Sequence, residues 1–213
     1  MNGTLYGLGI GPGDPELITL KALRILRDTR VLAYPAPEDG ESLARHIVAA
    51  HLHGHHEEIS IRMPMTAARF PAQDVYDRAA LELGAHLDAG RDVAVLCEGD
   101  PFFYGSFMYL FGRMSENHSV EVVPGVSSLM ACATTLGAPL AARNDVLCVV
   151  PATLPSEELA ARISGVDAVA IIKVGRHLEK VRQVLHGMGL SQYARYVEHA
   201  TMASERILEL DAV

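Results

Sequence analysis

Residues 92–105 read DVAVLCEGDPFFYG, and positions 92–97 form a nearly continuous apolar run. A strand covered on both faces of a parallel sheet reads this way, whereas a strand with one wet face alternates. The run leads into a loop with glycine, proline and two carboxylates. In open parallel sheets, ligands gather at the carboxyl ends of strands, where such loops lie.

Working outward, Ala72–Ala89 predicts a long helix, Glu57–Arg62 a strand and Ser42–His53 a helix. Val31–Tyr34 predicts a short strand stopped by Pro35 and Pro37. The chain begins with a strand, Thr4–Ile10, that ends in GIGPGDP (9–15). A helix from Pro15 to about Arg27 follows, with Asp14 as N-cap and proline in its first turn. Leu17, Leu20, Leu23 and Leu26 recur at helical spacing and form its expected buried face.

Downstream come helix Ser106–Met114, strand Val120–Val123 and helix Leu129–Leu136. The pattern then restarts with strand Val146–Val150, helix Ser156–Ile163, strand Ala168–Val174, helix Leu178–Met188 and strands Arg195–Glu198 and Arg206–Leu210. Such alternation predicts an α/β fold with a mainly parallel sheet. GAPLAARND (137–145) is the expected linker between two α/β domains, 1–138 and 144–213, the second lacking its last strand.

The 213 residues are 49% hydrophobic and 21% charged, which argues against disorder and fibrous repeats. Eighteen Lys+Arg against 26 Asp+Glu leave a formal charge of −8, so the broad positive field of a nonspecific nucleic-acid binder is absent. No stretch approaches the ~18 apolar residues of a membrane span. The opening MNGTLYGLGIG has no basic segment and reads as a strand, so a cytoplasmic location is expected. Cys97, Cys132 and Cys148 sit in apolar runs without CxxC spacing and are expected to be reduced core residues.

Three glycine or proline loops stand at strand ends: Gly9–Pro15, Glu98–Gly105 and Pro124–Ser128. The first lacks the third glycine of GxGxxG in either frame. The strand ending in Tyr34-Pro35 lacks the acidic residue of a dinucleotide site, leaving a tight turn or a different ligand. In the second, Glu98 and Asp100 favour a cation or sugar hydroxyls, and Phe102, Phe103 and Tyr104 offer apolar walls. S-adenosylmethionine, with its ammonium, sulfonium and ribose, suits that mixture. The competing reading is a capping aspartate beside core aromatics.

YGLGIGPGDPELIT (6–19), EGDPFFYGS (98–106) and VEVVPGVSSLMACATTLGAPL (120–140), in this order and spacing, resemble the tetrapyrrole (corrin and porphyrin) methyltransferases. The resemblance covers essentially the whole chain. FFYGSFMYL (102–110), DVLCVVPATL (145–154), IIKVGRHLEKV (171–181), YVEHATMASERIL (196–208) and Glu98 before Gly-Asp-Pro bring it closest to one branch. That branch methylates the C20 meso carbon of a reduced tetrapyrrole on the way to cobalamin.

The resemblance implies a cofactor cleft between two α/β domains, S-adenosyl-L-methionine as donor and S-adenosyl-L-homocysteine as product. It implies cofactor contacts from Pro12, Glu98, Gly99, Asp100, Phe103, Ser127 and Ser128. In the second domain it implies Val174, Ala200 and Thr201 at the adenine. Val174 stands where the family often has methionine, and Ala200 where it often has glycine. A homodimer is implied by the resemblance alone.

Transfer of a methyl to carbon requires alignment, exclusion of water and loss of a proton, but no metal. No residue declares itself the base; Tyr104, Asp14 and Glu98 are candidates by position. The polycarboxylate substrate needs a local basic lining, for which Arg143, Lys173, Arg176 and His177 are the candidates; the alternative is that Arg176 and His177 merely face solvent. His51, His53, His55 and His56 read as a solvated helix end, not a metal site, because Gly54 interrupts the one i, i+4 pair. Met63, Met65, Met108, Met114 and Met130 are expected as core fillers. The other readings are the cobalt-containing substrate, another branch of the family, and a non-catalytic S-adenosylmethionine sensor or tetrapyrrole carrier.

Overall fold

The computed structural model describes residues 2–63 and 71–213. The chain divides into two compact units, Met1–Ser128 and Leu129–Val213, so most of the 128–136 helix falls with the second.

The first unit runs β1 (Thr4–Gly9), α1 (Leu20–Asp28), β2 (Val31–Pro37), α2 (Leu43–Ile47), β3 (Glu57–Met63), α3 (Pro71–Asp88), β4 (Val93–Cys97), α4 (Phe107–Met114) and β5 (Ser119–Val123). Its sheet is parallel throughout, in the order β3-β2-β4-β1-β5. The period of two along each strand distributes the core to both faces. Val93, Val95 and Cys97 join α3 and α4, while Ala94 and Leu96 join α1 and α2. All five β4 residues are buried, as the apolar run predicts. Leu5, Leu8, Leu32, Leu83 and Leu96 are essentially inaccessible, and burial of each such side chain contributes about 2 kcal/mol.

The second unit runs α5 (Ser128–Leu136), β6 (Leu147–Pro151), α6 (Ser156–Ile163), β7 (Ala168–Ile172), α7 (Leu178–Gly187), β8 (Arg195–Glu198) and β9 (Arg206–Glu209). β6 and β7 pair in parallel, and β8 and β9 pair antiparallel. Leu159, Ile163, Val181 and Leu185 from α6 and α7 pack with Val150, Ala152 and Leu210. Among the described residues no helix is long and apolar enough to cross a membrane.

Several local expectations are corrected. β2 does not stop at Tyr34; it continues through Pro35 and Pro37, paired with β3 as far as Met63. β4 pairs with β2 only at Val31–Ala33, so beyond Ala33 that side of β2 has no strand partner among the described residues. Two prolines spaced by two can turn their missing donors to that edge without losing a ladder bond.

Asp14 does act as a cap, accepting from Glu16 N at 2.8 Å, but on a short 3-10 turn, Pro15–Leu17. α1 restarts at Leu20 with Thr19 as its own cap. This break rotates the buried face to Ala22, Ile25 and Leu26, and Leu20 is 86% exposed. The 42–53 segment is shorter than expected: Ser42 caps α2, and a 3-10 turn at Ala49–His51 ends it.

Met114 is buried and Met63 packs on the core, whereas Met108 and Met130 are exposed and fill nothing. Met65 lies outside the described residues. The three cysteines are free; Cys97 is buried, but Cys132 and Cys148 are only half-buried.

Candidate functional site

The strand order makes β4, β1 and β5 neighbours, with β1 in the middle. Register aligns their tips, Gly9 opposite Cys97 and Leu8 opposite Val123. The three loops read from the sequence therefore leave one edge side by side. β2 and β5 lie on opposite sides of the β1–β4 pair, so the crossovers diverge here, as at ligand-binding switch points of open α/β sheets.

The loops are joined by backbone. Gly99 N donates to Gly11 O at 2.8 Å and Gly11 N to Gly99 O at 3.4 Å. Both glycines hold a positive φ, +83° at Gly11 and +65° at Gly99, which a side chain would strain. A Cβ on Gly125 would collide with Gly99 O and approach Gly9 Cα to 2.7 Å. The third loop thus lies directly against the first two.

Asp100 links them further. Its Oδ1 accepts from Phe102 N at 2.9 Å and Phe103 N at 3.1 Å, and its Oδ2 accepts from Gly125 N at 3.0 Å. The carboxylate caps its own turn and pins the loop after β5 to the loop after β4. Phe102, Phe103 and Tyr104 are 48%, 40% and 39% exposed, so they are not core aromatics. Phe103 and Tyr104 meet edge to face, and Tyr104 takes φ +56°.

Glu98 is exposed at the surface, yet its carboxyl is hemmed in by protein. Burial raises its pKa above the ordinary 4.5, opposed in part by a hydrogen bond from the backbone of Ala44, in the first turn of α2. Burial, with Asp100 and Glu98 nearby, also pushes the Cys97 thiol up, so it is no nucleophile at neutral pH.

On this edge the structure brings together Pro12, Glu98, Gly99, Asp100, Phe103, Ser127 and Ser128. Pro12 and Ser127 are half-buried, Ser128 is exposed, and Gly99 lies against Ser127 and Ser128. Asp14 is engaged in capping, as described.

In the second unit Val174 follows β7, half-buried against the core. Ala200 follows β8 and is buried, flanked by His199 at φ +50° and Thr201 at φ +69°. Thr201 N donates to Glu205 Oε2 at 2.6 Å, and the same oxygen accepts from Thr135 Oγ1 at 2.9 Å. Glu205 thus ties Thr201 to Thr135, a contact that the sequence reading missed, as it missed that of Ala44 with Glu98 in the first unit. Neither Glu205 nor Ala44 stands in one of the three glycine or proline loops.

Lys173 and Arg176 are exposed beside Val174, and Arg143 is exposed in the 137–145 segment. Arg143 and Lys173 take φ +51° and +57°. Non-glycine residues held there cost about 1 kcal/mol each, and such strain gathers at functional sites. Partial desolvation and the neighbouring cations Lys180 and Arg176 lower the His177 pKa, so at neutral pH it offers a hydrogen bond and not a charge. His51 Nε2 lies 3.0 Å from Pro15 O and His56 Nε2 3.0 Å from Leu26 O, two separate carbonyls.

A family model described as tetrapyrrole (corrin/porphyrin) methylases matches residues 4–212. The chain is 42% identical over 214 residues to the cobalamin biosynthesis protein CobIJ of Mycobacterium tuberculosis, covering 97% of this chain but 42% of that protein. It is 40% identical over 216 residues to a precorrin-2 C(20)-methyltransferase of Sinorhizobium, covering 98% of this chain and 88% of that one. Among solved structures, uroporphyrin-III C-methyl transferase from Thermus thermophilus, complexed with S-adenyl homocysteine, superposes with a TM-score of 0.71 at 27% identity, over 99% of this chain and 90% of that one.

Proposed function

Because the chain belongs to the tetrapyrrole (corrin/porphyrin) methylases, we propose that it methylates C20 of precorrin-2 with S-adenosyl-L-methionine, giving precorrin-3A and S-adenosyl-L-homocysteine in cobalamin synthesis. The chain spans less than half of its mycobacterial relative but most of its Sinorhizobium one. The observation that carries the reading is the closure of three neighbouring strand-end loops by Asp100 and the Gly11–Gly99 pair, in a chain 40% identical to an enzyme of that name.

The residues fit the donor. The missing side chains at Gly9 and Gly125 let the three loops close on one another, Phe103 offers an exposed ring, and Glu98 offers a carboxyl to a cation. Bound there, the donor supplies an electrophilic methyl on positively charged sulfur and leaves as a neutral thioether.

The chain's own groups do the remainder. Pro12, Gly99, Ser127 and Ser128 hold the donor's amino-acid and ribose parts, and Val174, Ala200 and Thr201 hold the adenine. Asp100 fixes the loops that carry the first set. The new carbon–carbon bond forms as the sulfur–methyl bond breaks, and a proton then leaves the product. Alignment within a fraction of an ångström supplies much of the rate. We take Glu98 as the base: burial raises the pKa of its carboxyl, the usual way of tuning a carboxylate for proton transfer. Arg143, Lys173 and Arg176 receive substrate carboxylates, with His177 as a hydrogen-bonding neighbour. A cytoplasmic homodimer completes the reading; sedimentation as a monomer would remove the dimer.

Anaerobic incubation with precorrin-2 and methyl-labelled donor is expected to add one labelled methyl, read by mass. Turnover only on precorrin-3A or precorrin-4 would move the chain to another branch. Calorimetric binding of S-adenosylhomocysteine without turnover of any of these would make it a sensor.

Glu98→Gln separates catalysis from stability. In the wild type, kcat/KM is expected to rise with pH through the Glu98 pKa, above 4.5, and then level. The variant loses that limb and falls about 100-fold at the plateau. Stability moves the other way. A raised folded pKa gives a contribution fully present below the unfolded value and lost as pH rises through the folded one. Glu98→Gln therefore unfolds no more easily at neutral pH than the wild type. An unchanged pH profile would release Glu98 from proton transfer.

A further inference from the structure

A cavity of about 290 Å³ lies in the first unit where β2 and β3 approach their carboxyl ends beside α2. Tyr34, Ser42, Arg45, His46, Ser60 and Arg62 line it, with exposed Glu41. Resting on the tetrapyrrole methyltransferase reading, we propose that this cavity is a subsite for one carboxylate side chain of the substrate, held by Arg62 and the Ser60 hydroxyl.

The lining argues for an acceptor as occupant. Ser60 Oγ is buried and, among the described residues, has no hydrogen-bond partner. A buried hydroxyl without a partner costs free energy that an incoming acceptor recovers. Arg45 is neutralised, its Nε and Nη2 each 3.1 Å from Glu58, whose other partner is the Tyr34 hydroxyl at 2.8 Å. Arg62 differs. It donates through Nη1 to two carbonyls, Pro37 O at 3.0 Å and Gly40 O at 2.9 Å, and no carboxylate pairs with it among the described residues. These bonds fix the guanidinium against the loop after β2 and leave its charge unbalanced. A planar, pre-oriented guanidinium is a carboxylate receptor.

The cavity belongs to the same sheet edge as the three loops. Glu98 is hydrogen-bonded by Ala44, next to Ser42 and Arg45, so α2 joins the site to the cavity. β2 lies two strand spacings from β1, about 10 Å. A macrocycle whose reacting carbon lies over β1 extends its rim and side chains that far. The basic residues recognised in the sequence all belong to the second unit; this cavity supplies first-unit recognition of the same polycarboxylate.

The experiment uses the full chain with Ser60→Ala and Arg62→Gln. Ser60→Ala removes no hydrogen bond seen among the described residues, so its fold is expected to be intact. The KM for precorrin-2 should rise about tenfold in Ser60→Ala and more in Arg62→Gln, as expected for loss of a hydrogen bond to a charged group. The S-adenosylhomocysteine Kd should stay within about twofold. An increase in Arg62→Gln alone would reduce Arg62 to a tether for Pro37 and Gly40 and overturn the proposal, and so would no increase in either.

Titration with uroporphyrin III, followed by Soret absorbance, needs no turnover. If the wild type fails to methylate precorrin-2, the methyltransferase reading falls. The cavity then stands if both variants bind uroporphyrin III about tenfold more weakly than wild type, and falls if all three bind alike.

Discussion

Gly125→Ala is expected to lose methyl transfer more than 100-fold and to lower the stability of the first unit by about 3 kcal/mol. The added methyl would meet Gly99 O and the Cα and carbonyl carbon of Gly9. All of these are backbone atoms in loops that leave paired strands, so no flexible side chain can yield. The loop after β5 must move off the other two, breaking the Gly125 N bond to Asp100. A shift of about 1 Å in such a site costs about two orders of magnitude in rate. Gly112→Ala in α4 is the control. A Cβ there meets nothing within 4 Å, and replacing a mid-helix glycine adds about 0.5–1 kcal/mol. Denaturation midpoints and S-adenosylhomocysteine calorimetry on both variants provide the check. A Gly125→Ala protein with wild-type midpoint and affinity would mean that the loops are not in contact.

Asp100→Asn should be nearly as damaging as Asp100→Ala. Three backbone N–H groups converge on the carboxylate from two loops, and no donor is available to reverse their direction. An amide has one acceptor oxygen. Whichever loop it serves, its NH₂ faces an N–H of the other. The expected loss is about 2–3 kcal/mol in stability and at least tenfold in S-adenosylhomocysteine affinity, read by the same two measurements. Ala and Asn variants that both bind as tightly as wild type would take Asp100 out of the site's scaffold.

The sequence disclosed what local patterning controls. Residues 93–97 read as a doubly covered strand because each side chain, whichever face it takes, meets a helix layer. The three loops were legible because glycine, proline and aspartate are needed where backbones touch or turn. Adjacency was not legible. That β1 sits between β4 and β5 depends on pairing choices outside any local window, and the contact of Gly9 with Gly125 depends on that order.

Misreadings arose where one local signal outweighed a tertiary one. Pro35 and Pro37 looked like stops, since β4's early departure from β2 is invisible in sequence. Leu20 looked buried because the helical frame was counted from Pro15, across a break at Ile18–Thr19. In the site, Asp100 showed its residue type but not its partners. Ala44 reaches Glu98 through a backbone amide, which leaves no trace in a side-chain pattern, and the bond of Glu205 to Thr135 joins residues 70 apart in the chain.

The two prolines of β2 have a consequence beyond the strand itself. An open strand rim is ordinarily an invitation to any passing extended segment, including one from another copy, to zip onto it. Here that rim offers no amide hydrogens at Pro35 and Pro37, and their carbonyls are already taken by the Ser42 hydroxyl and the Arg62 guanidinium, so intruding backbone finds little to grip. The chain keeps a gap in its sheet without the usual hazard of stickiness.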